Sequence, residues 1–231
     1  MELKNKRALI TGGTSGLGLA LTKQLITKGC RVHICGRDQQ RLQKTKKSMN
    51  SNQLDIWQCD ISNWPQVEAM VKQVGPVDIL INNAGVWLEG DLEANDPKSI
   101  SQTLDVNLKG TIFITRAVLP LMKQANQGFI VNVISTSGLI SRPDSMVYAA
   151  SKWGAAGFTE SLKENLKHTD IKVCSFYPGG MNTNLFKKAD PNKDIKQWMD
   201  PAKIAEIVVF ILEHDEKNMT IDSLVVKRRG Q

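Results

Sequence analysis

Tyr148 and Lys152 are four positions apart in the stretch MVYAASKWG, residues 146–154. On a helix, side chains at this spacing lie on one face, with Cβ atoms about 5–6 Å apart. An ammonium group beside a phenol favours the phenolate, so Lys152 is expected to lower the pKa of Tyr148 from its usual value of about 10. A tyrosine tuned in this way can act as a general acid or base. Taken alone, the pair also fits a surface tyrosine and a solvated lysine that share a helix, so the rest of the chain must decide.

A glycine-rich turn, TGGTSGLG at residues 11–18, separates the first apolar run from the first helical stretch. Glycine backbone without Cβ atoms lets a pyrophosphate approach the chain and lie at the helix N-terminus. The spacing is G-x-x-x-G-x-G, which differs from the usual dinucleotide fingerprint, and a plain tight turn is the alternative. The position between a strand and a helix favours a phosphate-binding turn. Its candidate cofactor-binding residues are Gly12, Thr14, Ser15, Gly16, Leu17 and Gly18.

The segment ICGRD, residues 34–38, ends the second apolar run and indicates which dinucleotide is preferred. An acidic residue at the end of this strand would bind the 2′-hydroxyl of NAD. Here Gly36 leaves room and Arg37 can grip a 2′-phosphate through two hydrogen bonds, which favours NADP(H). Asp38 follows directly and keeps NAD(H) open as a second cofactor. Its position also suits the N-cap of the next helix, which is the interpretation we favour.

The composition excludes several classes of protein. The chain has 231 residues, 41% of them hydrophobic, which fits one globular domain over residues 1–231. No apolar run of about 18 residues is present and the start carries charges, so neither a membrane span nor a secretory signal is expected. The four cysteines form no CxxC pair and the three histidines are scattered, so no metal site is predicted and a cytoplasmic location is favoured.

The net charge of +7 raises the question of an anionic partner. The basic residues are mostly dispersed, and no basic motif is interleaved with aromatic residues. We therefore expect no nucleic-acid partner, and the charge fits a solvated surface together with a site for an anionic cofactor.

Short apolar runs alternate with amphipathic stretches along the whole chain. This alternation predicts an α/β fold with a doubly wound parallel sheet and helices on both faces. The predicted strands are 7–11, 31–35, 54–58, 77–82, 128–135, 171–177 and 222–226. The predicted helices include 16–28, 38–48, 63–73, 98–124, 147–168 and 201–213. The one long polar insertion, residues 184–200, is interpreted as a mobile lid over a substrate site.

Three motifs in one chain resemble those of the short-chain dehydrogenase/reductase family, and the resemblance covers nearly all of the sequence. They are the glycine turn, NNAG at residues 82–85 and YAASK at residues 148–152. Ser135 lies thirteen residues before Tyr148, which matches the family's spacing. The resemblance implies a single Rossmann-type domain with about seven strands in the order 3-2-1-4-5-6-7.

The resemblance also implies the chemistry. Hydride would move between NADP(H) and a carbonyl or secondary alcohol, with Tyr148 as the proton donor and Ser135 hydrogen-bonded to the carbonyl oxygen. Lys152 would tune the tyrosine and bind the nicotinamide ribose. Asn107, in DVNLKG, would hold a water that links Lys152 to solvent.

Further cofactor-binding residues follow from the resemblance. Those outside the glycine turn and the catalytic set are Asp60, Ile61, Asn83, Ala84, Gly85, Pro178, Gly179 and Thr183. Asn82 is expected to tie neighbouring strands rather than to take part in chemistry.

The substrate pocket is expected among bulky residues that follow the carboxyl edge of the sheet. The candidates are Trp87, Leu139, Met146, Met181, Phe186, Trp198 and Met199. Their character suggests a hydrophobic or mixed carbonyl compound, although Phe186 and Trp198 could equally pack the lid onto the body. The helix near 98–124 is apolar on more than one face. The resemblance implies that this helix and the helix that carries Tyr148 form an interface between subunits, so a homodimer or homotetramer is predicted.

A second function of a different class stays open, namely a non-catalytic NADP(H)-binding sensor or scaffold on the same fold. A protein that only binds the dinucleotide does not need an acid, its tuning lysine and an oxyanion partner together, so we favour the enzyme. The resemblance leaves the substrate and the physiological direction of the reaction open.

Overall fold

The computed structural model describes residues 1–187, 192, 194–216 and 219–229. The described residues form a seven-stranded parallel sheet with the order β3-β2-β1-β4-β5-β6-β7, which confirms the predicted fold and strand order. Every neighbouring pair of strands in this sheet is parallel. The strands are β1 (Arg7–Thr11), β2 (Arg31–Gly36), β3 (Leu54–Gln58), β4 (Ile79–Asn82), β5 (Gly128–Val133), β6 (Ile171–Pro178) and β7 (Ser223–Val226).

The helices that connect the strands begin and end close to the predicted positions. They are α1 (Gly16–Thr27), α2 (Gln39–Met49), α3 (Trp64–Val74), α4 (Pro97–Leu104), α5 (Thr111–Ala125), α6 (Met146–Leu166), α7 (Asn184–Lys187) and α8 (Pro201–Glu213). Short 3₁₀ turns lie at Leu92–Ala94 and Thr136–Gly138. Polar N-caps explain several of the starts: the side chains of Asp38, Asn63, Asp96 and Asp200 each accept a hydrogen bond from a backbone N–H of the first turn.

Successive side chains of each strand point to opposite faces of the sheet and pack into two hydrophobic cores, one on each face. Ile10 of β1 packs in the core that α1, α2 and α8 cover, through residues such as Leu21 and Val208. Its neighbour Leu9 packs in the core that α3, α5 and α6 cover, through residues such as Val118. Since both faces are covered, the strands are apolar almost throughout, as the sequence pattern indicated.

The predicted helix over 98–124 is interrupted. α4 and α5 are joined by a π-helical segment, Asp105–Gly110, whose wider turn contains Asn107. Asn107 is buried, and its side chain bonds to groups outside this helix. These bonds compensate for the poorer helical geometry of the segment, and π segments of this kind recur at functional sites.

The insertion 184–200 returns to the sheet close to the point where it leaves. Met181 and Met199 form a parallel bridge, and the backbone N–H of Asn182 donates to the Met199 carbonyl at 2.9 Å. Within the loop, Phe186 and Ile195 are buried. Residues 188–191 and 193 of the predicted lid lie outside the described residues, and its movement stays a prediction.

His33 is a buried histidine in the middle of β2, with 3% of its surface exposed. Its Nδ1 accepts a hydrogen bond from the Trp57 indole at 3.3 Å, while Nε2 has no partner among the described residues. Burial lowers the pKa of His33 to about 4. Asp55 acts in the opposite direction, and Arg7 and Arg31 add to the lowering. The folded protein therefore holds His33 neutral.

This burial predicts a pH-dependent loss of stability. An unfolded histidine binds a proton below pH ~6.5, whereas folded His33 does so only near its lowered pKa, so the unfolded state gains protons first as the pH falls. The free energy of unfolding should fall by up to about 3 kcal/mol from this group between pH ~6.5 and ~4. Urea unfolding at a series of pH values measures the slope. The variant His33→Gln cannot titrate and should show a smaller slope; identical slopes in the two proteins would refute the effect.

Candidate active site

A cavity of about 900 Å³ runs along the carboxyl ends of the central strands, which is the edge where open parallel sheets bind ligands. Three of the four predicted catalytic residues line it: Ser135, Tyr148 and Lys152. So do all the predicted cofactor-binding residues except Gly18. Of the substrate candidates, Trp87, Met181, Phe186 and Trp198 line the cavity. Leu139, Met146 and Met199 are not among its lining residues, and the first two are exposed.

The glycine turn is held against the start of the NNAG segment. The Thr11 hydroxyl, at the end of β1, accepts hydrogen bonds from the backbone N–H groups of Asn83 at 3.0 Å and of Ala84 at 2.9 Å. The Asn83 amide in turn donates to the Thr11 carbonyl at 2.9 Å. Sequence reasoning missed Thr11, because its partners are more than seventy positions away in the chain.

Gly18 does not line the cavity, and packs closely against the backbone of Gly12 instead. A Cβ atom on Gly18 would lie 2.3 Å from the Gly12 carbonyl oxygen, a contact that the backbone cannot relieve without moving. Gly12 itself has a φ of 69°, which glycine adopts without strain. The close approach of these two glycines therefore sets the shape of the turn.

This contact predicts that Gly18→Ala destabilises the protein, although alanine is the better helix former. The overlap should lower the free energy of unfolding by roughly 1–3 kcal/mol. Gly157, an exposed glycine of α6, provides the matched control, because a Cβ atom added there would meet no other atom within 4 Å. Gly157→Ala should raise stability by about 0.5–1 kcal/mol. Chemical denaturation of both variants is the measurement, and a Gly18→Ala protein as stable as Gly157→Ala would contradict the packing argument.

The Tyr148–Lys152 pair lies on the buried face of α6, and each side chain is 5% exposed. The Lys152 ammonium donates to the Val133 carbonyl at 3.2 Å and lies 5.7 Å from the centroid of the Tyr148 ring. Burial raises the pKa of Tyr148 to about 12, and a hydrogen bond with the Ser135 side chain opposes this rise. Burial also lowers the pKa of Lys152 to about 8.

The net pKa of Tyr148 therefore lies above its usual value, whereas the sequence analysis predicted a lowered one. The cost of burying a phenolate exceeds the attraction of an ammonium group that is some distance away and bonded to a carbonyl. The consequence is chemical: Tyr148 keeps its proton at neutral pH, as a proton donor must.

Asn107 is buried and does not line the cavity. Its Oδ1 accepts from the Val86 N–H at 2.8 Å, and its Nδ2 donates to the Val86 carbonyl at 2.9 Å and to the Ser151 hydroxyl at 3.0 Å. Both amide protons are thus used, so the side-chain nitrogen has none left for the expected water. The Ser151 hydroxyl donates to the Tyr148 carbonyl at 2.6 Å, which connects Asn107 to the backbone of α6.

The polar residues after β2 separate into two roles. Asp38 caps α2: its carboxylate accepts from the Arg41 N–H at 3.0 Å and pairs with the Arg41 guanidinium at 3.1 Å, which confirms the N-cap interpretation. Arg37 and Arg41 both line the cavity, so two cations flank this end of it. The sequence analysis did not identify Arg41, because its place near the end of β2 depends on the first turn of α2.

An aromatic wall, formed by Tyr148, Trp87, Phe186 and Trp198, borders the cavity. Successive ring centroids lie 4.3, 5.0 and 4.7 Å apart. Gly180 makes room for the last ring, since a Cβ there would lie 2.7 Å from Trp198. The two interpretations of Phe186 and Trp198 are thus compatible, because both residues pack the loop onto the body and line the cavity.

Other side chains of the described residues give no sign of a metal centre or a membrane span. All four cysteines are buried and free, and burial raises the pKa of Cys30 and Cys59 to about 11. No grouping of three metal-ligating side chains occurs in the ranges that the structure describes. Among the same residues, no helix has the length and apolarity needed to cross a membrane.

Comparison with known proteins assigns the chain to a family. The profile of the short chain dehydrogenases matches residues 6–194. The chain belongs to this family. As a short chain dehydrogenase it is an oxidoreductase, and it is 32% identical over 220 residues to an uncharacterised oxidoreductase of Staphylococcus saprophyticus. That match covers 92% of this chain and 93% of the relative.

Two solved structures show how closely the fold agrees with other short chain dehydrogenases and reductases. A serine dehydrogenase in a closed form, complexed with NADP+, is 31% identical, with a TM-score of 0.88 over 95% of this chain and 94% of that one. A 3-ketoacyl-(acyl-carrier-protein) reductase from Brucella melitensis, complexed with NADH, is 28% identical, with a TM-score of 0.88 over 97% and 98%.

Proposed function

We propose that the protein is an NADP(H)-dependent dehydrogenase or reductase that interconverts a carbonyl compound and an alcohol. The observation that carries this proposal is the arrangement of Ser135, Tyr148 and Lys152 on one wall of the cavity, next to the glycine turn. Two of the similar structures, a serine dehydrogenase and a ketoacyl reductase, are named for this class of reaction on different substrates. The substrate is therefore a separate question from the reaction class.

The residues of the cavity fit a dinucleotide. Gly12 and Gly16 place backbone without side chains where a phosphate must approach, and a Cβ on Gly16 would meet Thr183 at 3.0 Å. Arg37 and Arg41 supply positive charge after β2, and Lys152 supplies it next to Tyr148. When bound, the dinucleotide supplies or accepts the hydride.

The protein's own groups account for the proton. In the direction of reduction, negative charge grows on the carbonyl oxygen, and the Tyr148 phenol, protonated at neutral pH, donates its proton to that oxygen. Ser135, which lines the same cavity, donates to the same oxygen and stabilises the developing charge. The Lys152 ammonium favours the tyrosinate left behind, so its charge offsets part of the cost of burial that raises the pKa of Tyr148.

The decisive test is the oxidation of NADPH with a panel of carbonyl compounds, which should include ketones, aldehydes and a 3-ketoacyl thioester; the reverse reaction would use secondary alcohols and serine. Tyr148→Phe should lower kcat by about 10²–10⁴-fold, the usual contribution of a general acid. Binding of NADPH, followed by its fluorescence, should be retained.

Tyr177, the only other tyrosine of the chain, provides the matched control. It is equally buried, at 5% exposure, and does not line the cavity, so Tyr177→Phe makes the same chemical change outside the site. Normal turnover in Tyr148→Phe would disprove the assignment. Tight NADPH binding without turnover on any compound would favour the alternative, a dinucleotide-binding sensor or scaffold.

The preference for NADP(H) over NAD(H) rests on the two arginines after β2. Arg37→Ala should weaken NADPH binding by about ten- to a hundredfold, as expected for the loss of a charged hydrogen bond, and leave NADH binding nearly unchanged. Arg31, which is paired with Asp55 at 3.0 Å at the other end of β2, is the control position. Equal dissociation constants for NADPH in Arg37→Ala and Arg31→Ala, measured by titration calorimetry, would reject the preference.

We also propose that the protein acts as a homodimer or homotetramer, with a cytoplasmic location. Leu104 at the end of α4 is 37% exposed and Trp153 of α6 is 50% exposed. These large apolar side chains lie on the helices that the sequence indicated as an interface. Burial against a second copy would remove that apolar surface from water.

A further inference from the structure

Arg228 occupies a distinctive position at the end of the cavity. It follows β7 by two residues and is half-buried, whereas its neighbours Lys227 and Arg229 are exposed. Its guanidinium carbon lies 4.9 Å from the centroid of the Trp198 ring, at the end of the aromatic wall remote from Tyr148. It lines the same cavity as the catalytic residues.

The guanidinium of Arg228 has no acidic partner among the described residues. Its one described contact is the cation–π contact with Trp198, which uses none of its N–H donors in an ion pair. A half-buried arginine that lines the cavity and has no acidic partner among the described residues is well suited to a planar anion.

The phosphates of the dinucleotide have other partners. Arg37 and Arg41 follow β2, whereas Arg228 follows β7, and four strands lie between these two in the sheet. The glycine turn follows β1, also on the side of β2. Arg228 is therefore placed at the opposite end of the carboxyl edge from the groups that fit the 2′-phosphate.

A second arginine of the cavity, Arg142, is a weaker candidate for an anion. It precedes Asp144 by two residues, and Asp144 also lines the cavity. The Asp144 carbonyl accepts from the Gly90 N–H at 2.8 Å, which brings the loop that carries Glu89 to the same place. Two carboxylates in this region oppose a negative ligand, whereas none is described near Arg228.

We propose that Arg228 determines substrate specificity by binding a carboxylate of the substrate, so that the preferred substrate is an oxo acid or the matching hydroxy acid. The carbonyl lies at Tyr148 and Ser135, the apolar body lies along the aromatic wall, and the carboxylate pairs with the guanidinium. This inference rests on the proposed carbonyl–alcohol chemistry and adds the charge of the substrate to it.

The test is a series of methyl-ketone acids from 3-oxobutanoate to 8-oxononanoate, each compared with its methyl ester. The two members of a pair share the reacting carbonyl and differ in charge. Wild-type protein should prefer the acid, in kcat/KM, by at least about tenfold at one length of the series, the effect of a charged hydrogen bond. In Arg228→Gln the ratio of kcat/KM for the acid to kcat/KM for the ester should fall to about one.

Arg229→Gln removes the same charge from the next, exposed residue and should keep the preference. Arg228→Lys should keep only part of it, because an ammonium lacks the two-pronged geometry of the guanidinium. Thermal melting and NADPH affinity of each variant establish that the fold and the cofactor site are intact.

Several results would overturn the inference while leaving the proposed function in place. The first is equal kcat/KM for acids and esters in the wild-type protein. The second is a preference for acids that Arg142→Gln abolishes and Arg228→Gln does not. The third is that Arg228→Gln weakens NADPH binding and keeps the preference for acids. If no compound is turned over, the proposed function fails, and calorimetric binding of the oxo acids decides the role of Arg228. Binding that Arg228→Gln abolishes supports the anion site, and equal or absent binding rejects it.

Discussion

The side chain of Asn107 holds together three elements on which the candidate site is built. Its amide bonds to both backbone groups of Val86, in the loop after β4, and to the Ser151 hydroxyl on α6. The amide itself projects from a π-helical turn between α4 and α5. Because the Asn107 and Ser151 side chains are buried, breaking the bond between them would leave an unsatisfied polar atom, at a cost of about 1–3 kcal/mol. The relative positions of Trp87, which follows Val86, and of Tyr148 depend on this small network.

The same burial decides the electrostatics of the site. A phenol and an ammonium group that were both exposed would each titrate near their usual pKa values. Inside the protein, both charged forms are penalised, so Tyr148 keeps its proton and Lys152 holds its own less tightly. A protonated tyrosine is the form that the proposed reduction requires of its acid.

The residues of the candidate site lie along the carboxyl edge of the sheet, in the order of the strands that they follow. In the proposed function, residues after β1 and β2 would bind the phosphates of a dinucleotide, and residues after β5 together with α6 would supply the acid and the oxyanion partner. The segment after β6 leaves and returns at the Met181–Met199 bridge, and so brings Trp198 back over the cavity. The last described residues after β7 then place Arg228 on Trp198. The order of the strands in the sheet therefore also sets the order in which these groups follow one another along the cavity.

The sequence by itself determined the fold, through strands that are apolar on both faces and helices that begin at polar caps such as Asp38. It also indicated the candidate acid, because an i, i+4 spacing is a property of one helix and needs no knowledge of distant contacts. Only the tertiary structure decided whether the pKa of Tyr148 is raised or lowered, since the burial of its side chain results from contacts with many elements. The tie between Thr11 and the NNAG segment, and the stacking of Arg228 on Trp198, join residues far apart in the chain. No local pattern encodes such contacts, because they form only when the strands have taken their places in the sheet.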